Sequence, residues 1–306
     1  MNPLSLADLH CDTPFELFYR KSSFENNDLA VSAQKANKYS RFLQVAAIWS
    51  DKHLDDDSAY RRTLEVIDNF KADVENAHNA SFWIDSQNMD ISFILSIEDA
   101  RILNRDISRL YDLYDKGIRI ITPLWRGESC IGGAYDTDTG LSDFGKLTIE
   151  VSAELGMIPD ISHASTRSAY DILTICDSRI PVIASHSDAY FVFPHSRNLT
   201  DDLFYAIKQN GGVVGINLCA EHLGYVKTRS ATDCVICHIE HYLSLGGEDM
   251  VCFGCDFDGA TTPPQLSDIT SLFLIADKMS ALNYSDRLIE KLFYINAENF
   301  IKKNIK

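Results

Sequence analysis

The sequence predicts an α/β protein in which one (β/α)₈ TIM barrel forms a single domain over residues 1–306. Two observations support this prediction. Eight short apolar runs alternate with longer amphipathic stretches, which is the pattern of parallel βαβ units. The chain also has no internal repeat, no low-complexity linker and no shift in composition that would mark a domain boundary. A closed barrel accommodates all eight strands without leaving an edge, and one-domain barrels commonly reach this length.

The apolar runs are short enough for buried parallel strands. We predict strands over residues 5–10, 42–49, 91–97, 118–122, 157–161, 182–185, 212–217 and 250–254. Helical patterns cover residues 57–76, 103–116, 143–155, 165–176, 201–209 and 232–245. Capping signals mark three helix starts, at Ser142-Asp143, at residues 198–202 (NLTDD) and at Thr232-Asp233. Glycines such as Gly156 and Gly211 follow helical patterns, where helices commonly end.

Composition excludes several classes of partner. The formal net charge of −16 opposes binding to nucleic acid or to an anionic membrane surface. No apolar run reaches the roughly 18 residues that a membrane span needs. The first apolar stretch, residues 4–9, lacks a basic leader and contains Asp8, so we predict no export signal and a cytoplasmic location. The eight cysteines are then expected to be free thiols.

Side chains that commonly bind metals end five of the predicted strands. His10 and Asp12 follow the first strand at alternate positions, which point to the same side. The third, fifth, sixth and eighth strands end at Glu98, His163, His186 and Asp256. Barrel strands present their carboxyl ends at one rim, so we expect these side chains to lie together. Imidazole and carboxylate ligands suit Zn²⁺ and similar ions, and the rim is therefore a predicted metal site.

Motifs over nearly the whole chain resemble the membrane (renal) dipeptidase family, in particular its bacterial branch, among the amidohydrolase-like metal-dependent barrels. They occur in the family order. The segments are residues 8–12 (DLHCD), 96–100 (SIEDA), 117–122 (GIRIIT), 140–145 (GLSDFG), 155–163 (LGMIPDISH), 185–187 (SHS), 196–198 (SRN), 211–217 (GGVVGIN) and 254–259 (GCDFDG).

The resemblance implies a metallo-dipeptidase with two divalent ions per chain, most commonly zinc. His10, Asp12 and Glu98 would hold one ion, and Glu98, His163 and His186 the other, so that Glu98 bridges them. A hydroxide held between the ions would attack the peptide carbonyl of a dipeptide, and the ions would stabilise the resulting oxyanion.

The resemblance also assigns substrate-binding and catalytic roles. Asp256 would be the general acid and base near the leaving nitrogen, whereas we expect a structural role for Asp258. Arg197 would grip the free carboxylate of the dipeptide, which suits a guanidinium fork. From its spacing alone, however, Arg197 fits a surface position in a helix-capping loop better.

Four positions depart from the family pattern. Trp125 stands where vertebrate-type members have a histidine that helps to polarise the scissile carbonyl, and we include it among the substrate-binding residues. Arg126, Ser129 and Ala153 replace asparagines expected in the bacterial branch. These departures leave the metal ligands intact but bear on the choice of substrate.

Alternative interpretations remain at this point. A related barrel could act on another small amide, or could be a non-catalytic accessory protein, although the intact ligand set with Asp256 favours an enzyme. Residues 234–238 (CVICH) have haem-attachment spacing, and with residues 252–255 (CFGC) they approach a zinc-ribbon spacing. The first pair lies in a predicted helix and the second in a buried strand, so small buried thiols are favoured. The sequence leaves open whether the protein forms a homodimer.

Overall fold

A curled sheet of parallel strands forms the centre of the fold in a computed structural model that describes residues 4–86, 89–177 and 179–306. The strands are β1 (Leu6–Cys11), β2 (Phe42–Trp49), β3 (Ala80–Phe82), β4 (Ile91–Glu98), β5 (Ile118–Thr122), β6 (Ile158–Pro159), β7 (Val214–Ile216) and β8 (Val251–Phe253). Hydrogen-bonded neighbours follow the order β6-β5-β4-β2-β1-β8-β7, and the pairs are parallel. The short β3 pairs with the first residues of β4, ahead of the point where β5 begins to pair.

Residues 182–185 close the ring between β6 and β7. Asp160, directly after β6, forms a parallel bridge with Ile183, and Ala184 forms one with Val214 in β7. The barrel therefore has a partner on both sides of each principal strand, and the predicted α/β barrel is confirmed. Its carboxyl-terminal rim collects the residues that follow the strands, which is where such barrels place their chemistry.

Helices alternate with the strands along the chain. They are α1 (Thr13–Arg20), α2 (Ala33–Ala36), α3 (Asp56–Asn76), α4 (Ser108–Asp115), α5 (Asp143–Leu155), α6 (Thr166–Cys176), α7 (Asp201–Asn210), α8 (Ala231–Ser244), α9 (Phe273–Ala281), α10 (Asp286–Glu290) and α11 (Asn296–Asn304). Short 3₁₀ segments cover Ala100–Leu103, Pro264–Leu266 and Ile269–Leu272, and a π-helical segment, Lys291–Ile295, joins α10 to α11.

The predicted capping residues explain several helix boundaries. Ser142 accepts a hydrogen bond from the Gly145 N–H at the start of α5, and Thr200 does the same for α7. Gly156 and Gly211 end these two helices at φ values of 76° and 81°, in the left-handed region where a side chain is disfavoured. The third predicted start was wrong, because α8 follows Ser230, whose side chain makes no capping hydrogen bond.

Other sequence predictions need correction. Residues 182–185 are not a regular strand and join the barrel only through two isolated bridges. The single helix predicted over residues 103–116 is instead a 3₁₀ turn followed by α4, with a break at Asn104 and Arg105, both at positive φ. The strand β3 and the helices α1, α2, α9, α10 and α11 were not predicted.

The hydrophobic core is continuous from the first strand to the last helix. Buried side chains include Leu6 in β1, Phe93 in β4, Phe253 in β8 and Ile301 in α11. Within the described residues, no helix combines the length and the apolar character needed to cross a lipid bilayer.

Candidate active site

Six predicted side chains meet at the carboxyl-terminal rim of the barrel, and all are buried: His10, Asp12, Glu98, His163, His186 and Asp256. The strand ends bring them together: His10 lies in β1, Asp12 directly precedes α1, and Glu98 is the last residue of β4. His163 follows β6, His186 follows the bridged segment and Asp256 follows β8. The predicted clustering therefore occurs in the structure.

Glu98 lies at the centre of the cluster. Its Oε1 atom is 2.9 Å from His163 Nε2 and 3.7 Å from His186 Nε2, and its Oε2 atom is 3.7 Å from His10 Nε2. Both oxygens thus face imidazole nitrogens. Burial raises the pKa of Glu98 well above its usual value, so an isolated carboxylate here would tend to take up a proton.

The protonation states of two histidines follow from their partners. The Nδ1 atom of His163 lies 2.9 Å from the Trp125 carbonyl oxygen, which can only accept, so Nδ1 carries the proton. Burial lowers the pKa of His163 and of His186 well below its ordinary value, which keeps both rings neutral. The Nε2 atom of His163 therefore presents a lone pair to Glu98.

A hydrogen-bond relay orients His186 in the same way. Its Nδ1 atom lies 2.6 Å from Ser185 Oγ, and that hydroxyl donates to Asp160 Oδ2 at 2.5 Å. Thr122 Oγ1 donates to the same carboxylate oxygen at 2.6 Å. Because the Ser185 proton is engaged by Asp160, the His186 Nδ1 atom donates and its Nε2 atom carries a lone pair. Partners of this kind fix the tautomer and the orientation of metal-binding imidazoles.

The lone pairs on His163 Nε2 and His186 Nε2 point towards each other, and neither nitrogen carries a proton that could form a hydrogen bond between them. The Nε2 atoms of His163 and His186 lie only 2.9 Å apart, and both approach Glu98. Two neutral imidazole lone pairs beside a carboxylate oxygen repel one another unless a cation or proton lies among them. The donor set therefore fits a divalent cation.

His10 and Asp12 provide a second group of donors. The Nε2 atom of His10 lies 3.3 Å from Asp12 Oδ2, yet it is buried and forms no hydrogen bond with any described residue. Burial lowers the pKa of His10, but the carboxylates of Glu98 and Asp12 outweigh this effect and raise it to about 10. The surroundings of His10 thus favour a positive charge at this position, as a metal ion would supply.

Two groups of potential ligands occur among the residues that the structure describes. Ligand atoms of His10, Glu98 and His186 lie within 4.8 Å of one another, as do those of His10, Asp12 and Asp256. These groups overlap the predicted ligand sets but add Asp256 to the pair formed by His10 and Asp12. Neither group contains a cysteine, and all eight cysteines are free.

Asp256 occupies a constrained position beside the cluster. Its backbone has a φ of 60°, and its Oδ2 atom accepts a hydrogen bond from Asn217 Nδ2 at 3.2 Å. Burial raises the pKa of Asp256 to about 6. A Cβ atom at Gly259 would lie only 1.9 Å from Asp12 Oδ2, so any larger residue there would displace this carboxylate. The carboxylate of Asp258 is engaged by Thr13 and by the backbone, in agreement with a structural role.

Arg197 is buried, with 5% of its surface exposed, and does not lie in a surface loop position. Its Nη2 atom donates to the His186 carbonyl oxygen at 3.3 Å, and its guanidinium lies 5.7 Å from the Tyr135 ring centre. Within the described part of the chain it forms no ion pair within 4.0 Å, and its Nε atom has no hydrogen-bond partner. A buried guanidinium without a counter-ion favours binding of an anion.

Arg197 borders a cavity of about 350 Å³ together with four members of the cluster, Asp12, Glu98, His163 and Asp256. Aromatic side chains form one wall: Phe15, Trp49 and Trp125, with centroid distances of 5.1 Å and 5.2 Å between neighbours. A cavity of this size, with an apolar wall and converging polar groups, suits a small molecule.

Two of the four residues that depart from the family pattern border the cavity, and two do not. Trp125 borders the cavity and holds His163 through its carbonyl, while Arg126 borders it with a largely exposed side chain near Asp136. Ser129 instead accepts a hydrogen bond from the Ile131 N–H, and Ala153 packs against the core from α5; neither borders the cavity. Of these four residues, only Trp125 and Arg126 therefore lie where they could contact a molecule in the cavity.

Comparison with known families agrees with this geometry. The family described as Membrane dipeptidase (Peptidase family M19) matches residues 1–304. The chain belongs to the membrane dipeptidase family. Membership makes it a hydrolase of the metallo-dipeptidase class and implies a divalent metal and dipeptide substrates.

Two relatives with similar sequences are described as dipeptidases. A Schizosaccharomyces pombe protein described as an uncharacterized dipeptidase is 32% identical over 262 residues, which cover 79% of this chain and 62% of that protein. Dipeptidase 3 of Macaca fascicularis is 27% identical over 314 residues, covering 95% of this chain and 63% of the relative. The chain thus spans less than two thirds of the length of either protein.

Two solved structures of peptidases share the fold. A Rhodobacter sphaeroides metallopeptidase, bound to a phosphinate mimic of L-Ala-D-Ala, has a TM-score of 0.89 at 22% identity, with 99% of this chain and 100% of that chain covered. A probable dipeptidase of Pseudomonas aeruginosa, PvdM, has a TM-score of 0.82 at 19% identity, with 98% and 94% covered. At these identities the likeness establishes the fold alone.

Several residues of the membrane dipeptidase site were not predicted from the sequence. Asp160 and Ser185 orient His186, and Asn217 contacts Asp256. Asp160 and Asn217 both end predicted strands, so the rule that identified the other ligands could have selected them. His222 also borders the cavity, and no pattern in the sequence indicated it.

Proposed function

We propose that the protein is a binuclear zinc dipeptidase that hydrolyses the peptide bond of free dipeptides. His10, Asp12 and Glu98 would hold one ion and Glu98, His163 and His186 the other. This assignment is supported by the lone pairs of the two neutral imidazoles, which point to the same place beside Glu98. A cation bound there would relieve their mutual repulsion. When bound, the two ions would supply an activated hydroxide and polarise the scissile carbonyl.

Asp256 would transfer the proton during peptide hydrolysis. It lies beside His10 and Asp12, and its raised pKa brings it closer to the pH at which a carboxyl group can both accept and donate. Asn217 holds one of its oxygens, which fixes the direction of the other. Asp256 would thus accept a proton from the attacking water and deliver it to the leaving amine.

Arg197 would bind the terminal carboxylate and thereby set the length of the substrate. The single observation that carries the dipeptidase proposal is this buried guanidinium, unpaired with any described carboxylate, in the same cavity as the metal-binding cluster. One anchor at a fixed distance from the cluster would leave room for only one residue beyond the scissile bond. Trp125 would form part of the opposite wall, against the amino-terminal residue.

The test compares a dipeptide with its C-terminal amide in wild type and in Arg197→Met. A buried arginine left without its anion costs about 2–5 kcal/mol, so the amide should lose about 30-fold to several thousand-fold in kcat/KM. Arg197→Met should remove most of this discrimination by weakening the free acid. Arg61→Met, an exposed change on α3, is the matched control. Equal wild-type rates on both compounds would show that Arg197 is not the anchor.

Other parts of the proposal rest on the sequence. We propose that residues 1–306 act as one hydrolase domain, located in the cytoplasm, without nucleic acid or membrane partners. The homodimer stays a prediction. A panel that includes non-peptide amides tests the alternative substrate class, because Trp125 departs from the family pattern at the cavity wall.

A further inference from the structure

His222 lies beside the proposed carboxylate anchor, in the loop that follows β7. Its ring borders the cavity together with Arg197. The ring also packs against His195, with centroids 4.7 Å apart and planes inclined by 35°. A dipeptide held by Arg197 would therefore have its C-terminal end close to His222.

Hydrogen bonds fix the two loops relative to each other. Asn198 Nδ2 donates to the carbonyl oxygens of Phe193 and His222, each at 2.8 Å. The Arg197 N–H donates to His195 Nδ1 at 3.1 Å. The backbone that carries His222 is thus tied to the loop that carries Arg197, which limits the relative movement of the two loops. Such preorganisation reduces the entropy lost when a ligand binds both groups.

The ring of His222 is neutral and its two nitrogens differ. Burial, followed by the charge of Arg197, lowers the pKa of His222 to about 3. Its Nδ1 atom is buried and has no hydrogen-bond partner among the described residues. A proton on Nδ1 would leave a buried, unpaired N–H, which is rarer and costlier than an unpaired acceptor. The proton therefore belongs on Nε2, which makes no hydrogen bond to a described residue and remains for a ligand.

We propose that His222 is a second anchor for the substrate, donating a hydrogen bond from Nε2 to the terminal carboxylate that Arg197 binds. This inference rests on the proposed dipeptidase function and extends it. Arg197 and a neutral His222 together carry one positive charge, which matches one carboxylate. The pair thus selects dipeptides with a free, singly charged C-terminus, and His222 determines affinity for that end without taking part in bond cleavage.

The experiment measures kcat and KM of the zinc-loaded enzyme for L-Ala-D-Ala, L-Ala-L-Ala and their C-terminal amides. His222→Phe keeps a ring against His195 but removes the donor. It should raise KM for the free acids by about 10- to 100-fold, the value of one hydrogen bond to a charged group, with little change in kcat. KM for the amides should rise much less, because a neutral carbonyl oxygen is a weaker acceptor than a carboxylate. His222→Gln places an amide N–H near the position of Nε2 and should restore most of the affinity.

His78→Phe, at an exposed position, is the matched control and should leave both constants unchanged. If His222→Phe and wild type have the same KM for a free-acid dipeptide that wild type cleaves, the inference fails and the dipeptidase function stands. If His222→Gln is as impaired as His222→Phe, the ring acts only through packing and the inference also fails. If metal-loaded wild type cleaves no dipeptide, both the proposed function and this inference fail.

Discussion

Changing Glu98 to glutamine tests the metal centre most directly, because the carboxylate lies between the other donors. Glutamine has nearly the same shape but carries no charge, and its NH₂ group can donate to the Nε2 lone pairs of His163 and His186. These nitrogens lie 2.9 Å and 3.7 Å from Glu98 Oε1. The Glu98→Gln protein should therefore fold without ions, while its affinity for divalent cations should largely disappear.

The expected size of the effect follows from linkage. An ion present at about 1,000 times its Kd stabilises the folded state by about 4.1 kcal/mol. Unfolding entropy of about 2.1 cal/mol/K per residue gives about 0.64 kcal/mol/K for a chain of 306 residues. One tightly bound ion should thus raise Tm by about 6 °C, and two ions by about 13 °C.

The assay is thermal unfolding of chelator-treated protein with and without added zinc, combined with elemental analysis. Wild type should show the full increase in Tm and close to two ions per chain, whereas Glu98→Gln should show little of either. Glu154→Gln, an exposed change on α5, should behave as wild type. An equal increase in wild type and Glu98→Gln would refute the assignment of Glu98 as the shared ligand. A wild type with one ion or none while active would refute the binuclear centre.

Three further substitutions have defined outcomes. Asp256→Asn should keep both ions but lower kcat by about 10²- to 10⁴-fold, and a wild-type turnover rate would exclude its acid/base role. Replacing Cys234 and Cys237 with serine should change neither metal content nor catalysis, whereas loss of a bound zinc or haem would revive the alternative motif. Ser185→Ala should weaken metal affinity by about 10- to 100-fold in a zinc titration, because His186 loses its orienting partner; unchanged affinity would argue against the relay.

The fold could be predicted where a local sequence pattern is enough to define a strand. Residues 42–49 and 118–122 form strands with the predicted bounds, because uninterrupted apolar runs favour buried parallel strands. The parallel arrangement then places every strand end at one rim, which is why Glu98 and His163 could be expected together although 65 residues separate them (163 less 98). Their roles as metal ligands remain predictions.

Features that depend on packing could not be predicted in this way. The apolar run at residues 182–185 favours a strand, yet only Ile183 and Ala184 form bridges. The backbone carbonyl of His222 accepts a hydrogen bond from Asn198, 24 residues earlier. No local pattern encodes such a contact, so the proposed second anchor could emerge only from the structure.

Arg197 shows how packing decides between two interpretations of one residue. By its spacing it belongs to a loop before α7, where an arginine would ordinarily lie in solvent. The structure instead buries the guanidinium against the His186 carbonyl and the Tyr135 ring, without a carboxylate within ion-pair distance among the described residues. A buried charge without a partner is unfavourable in the free protein. We therefore expect that a substrate carboxylate would offset this cost, which is the physical basis of the role proposed for Arg197.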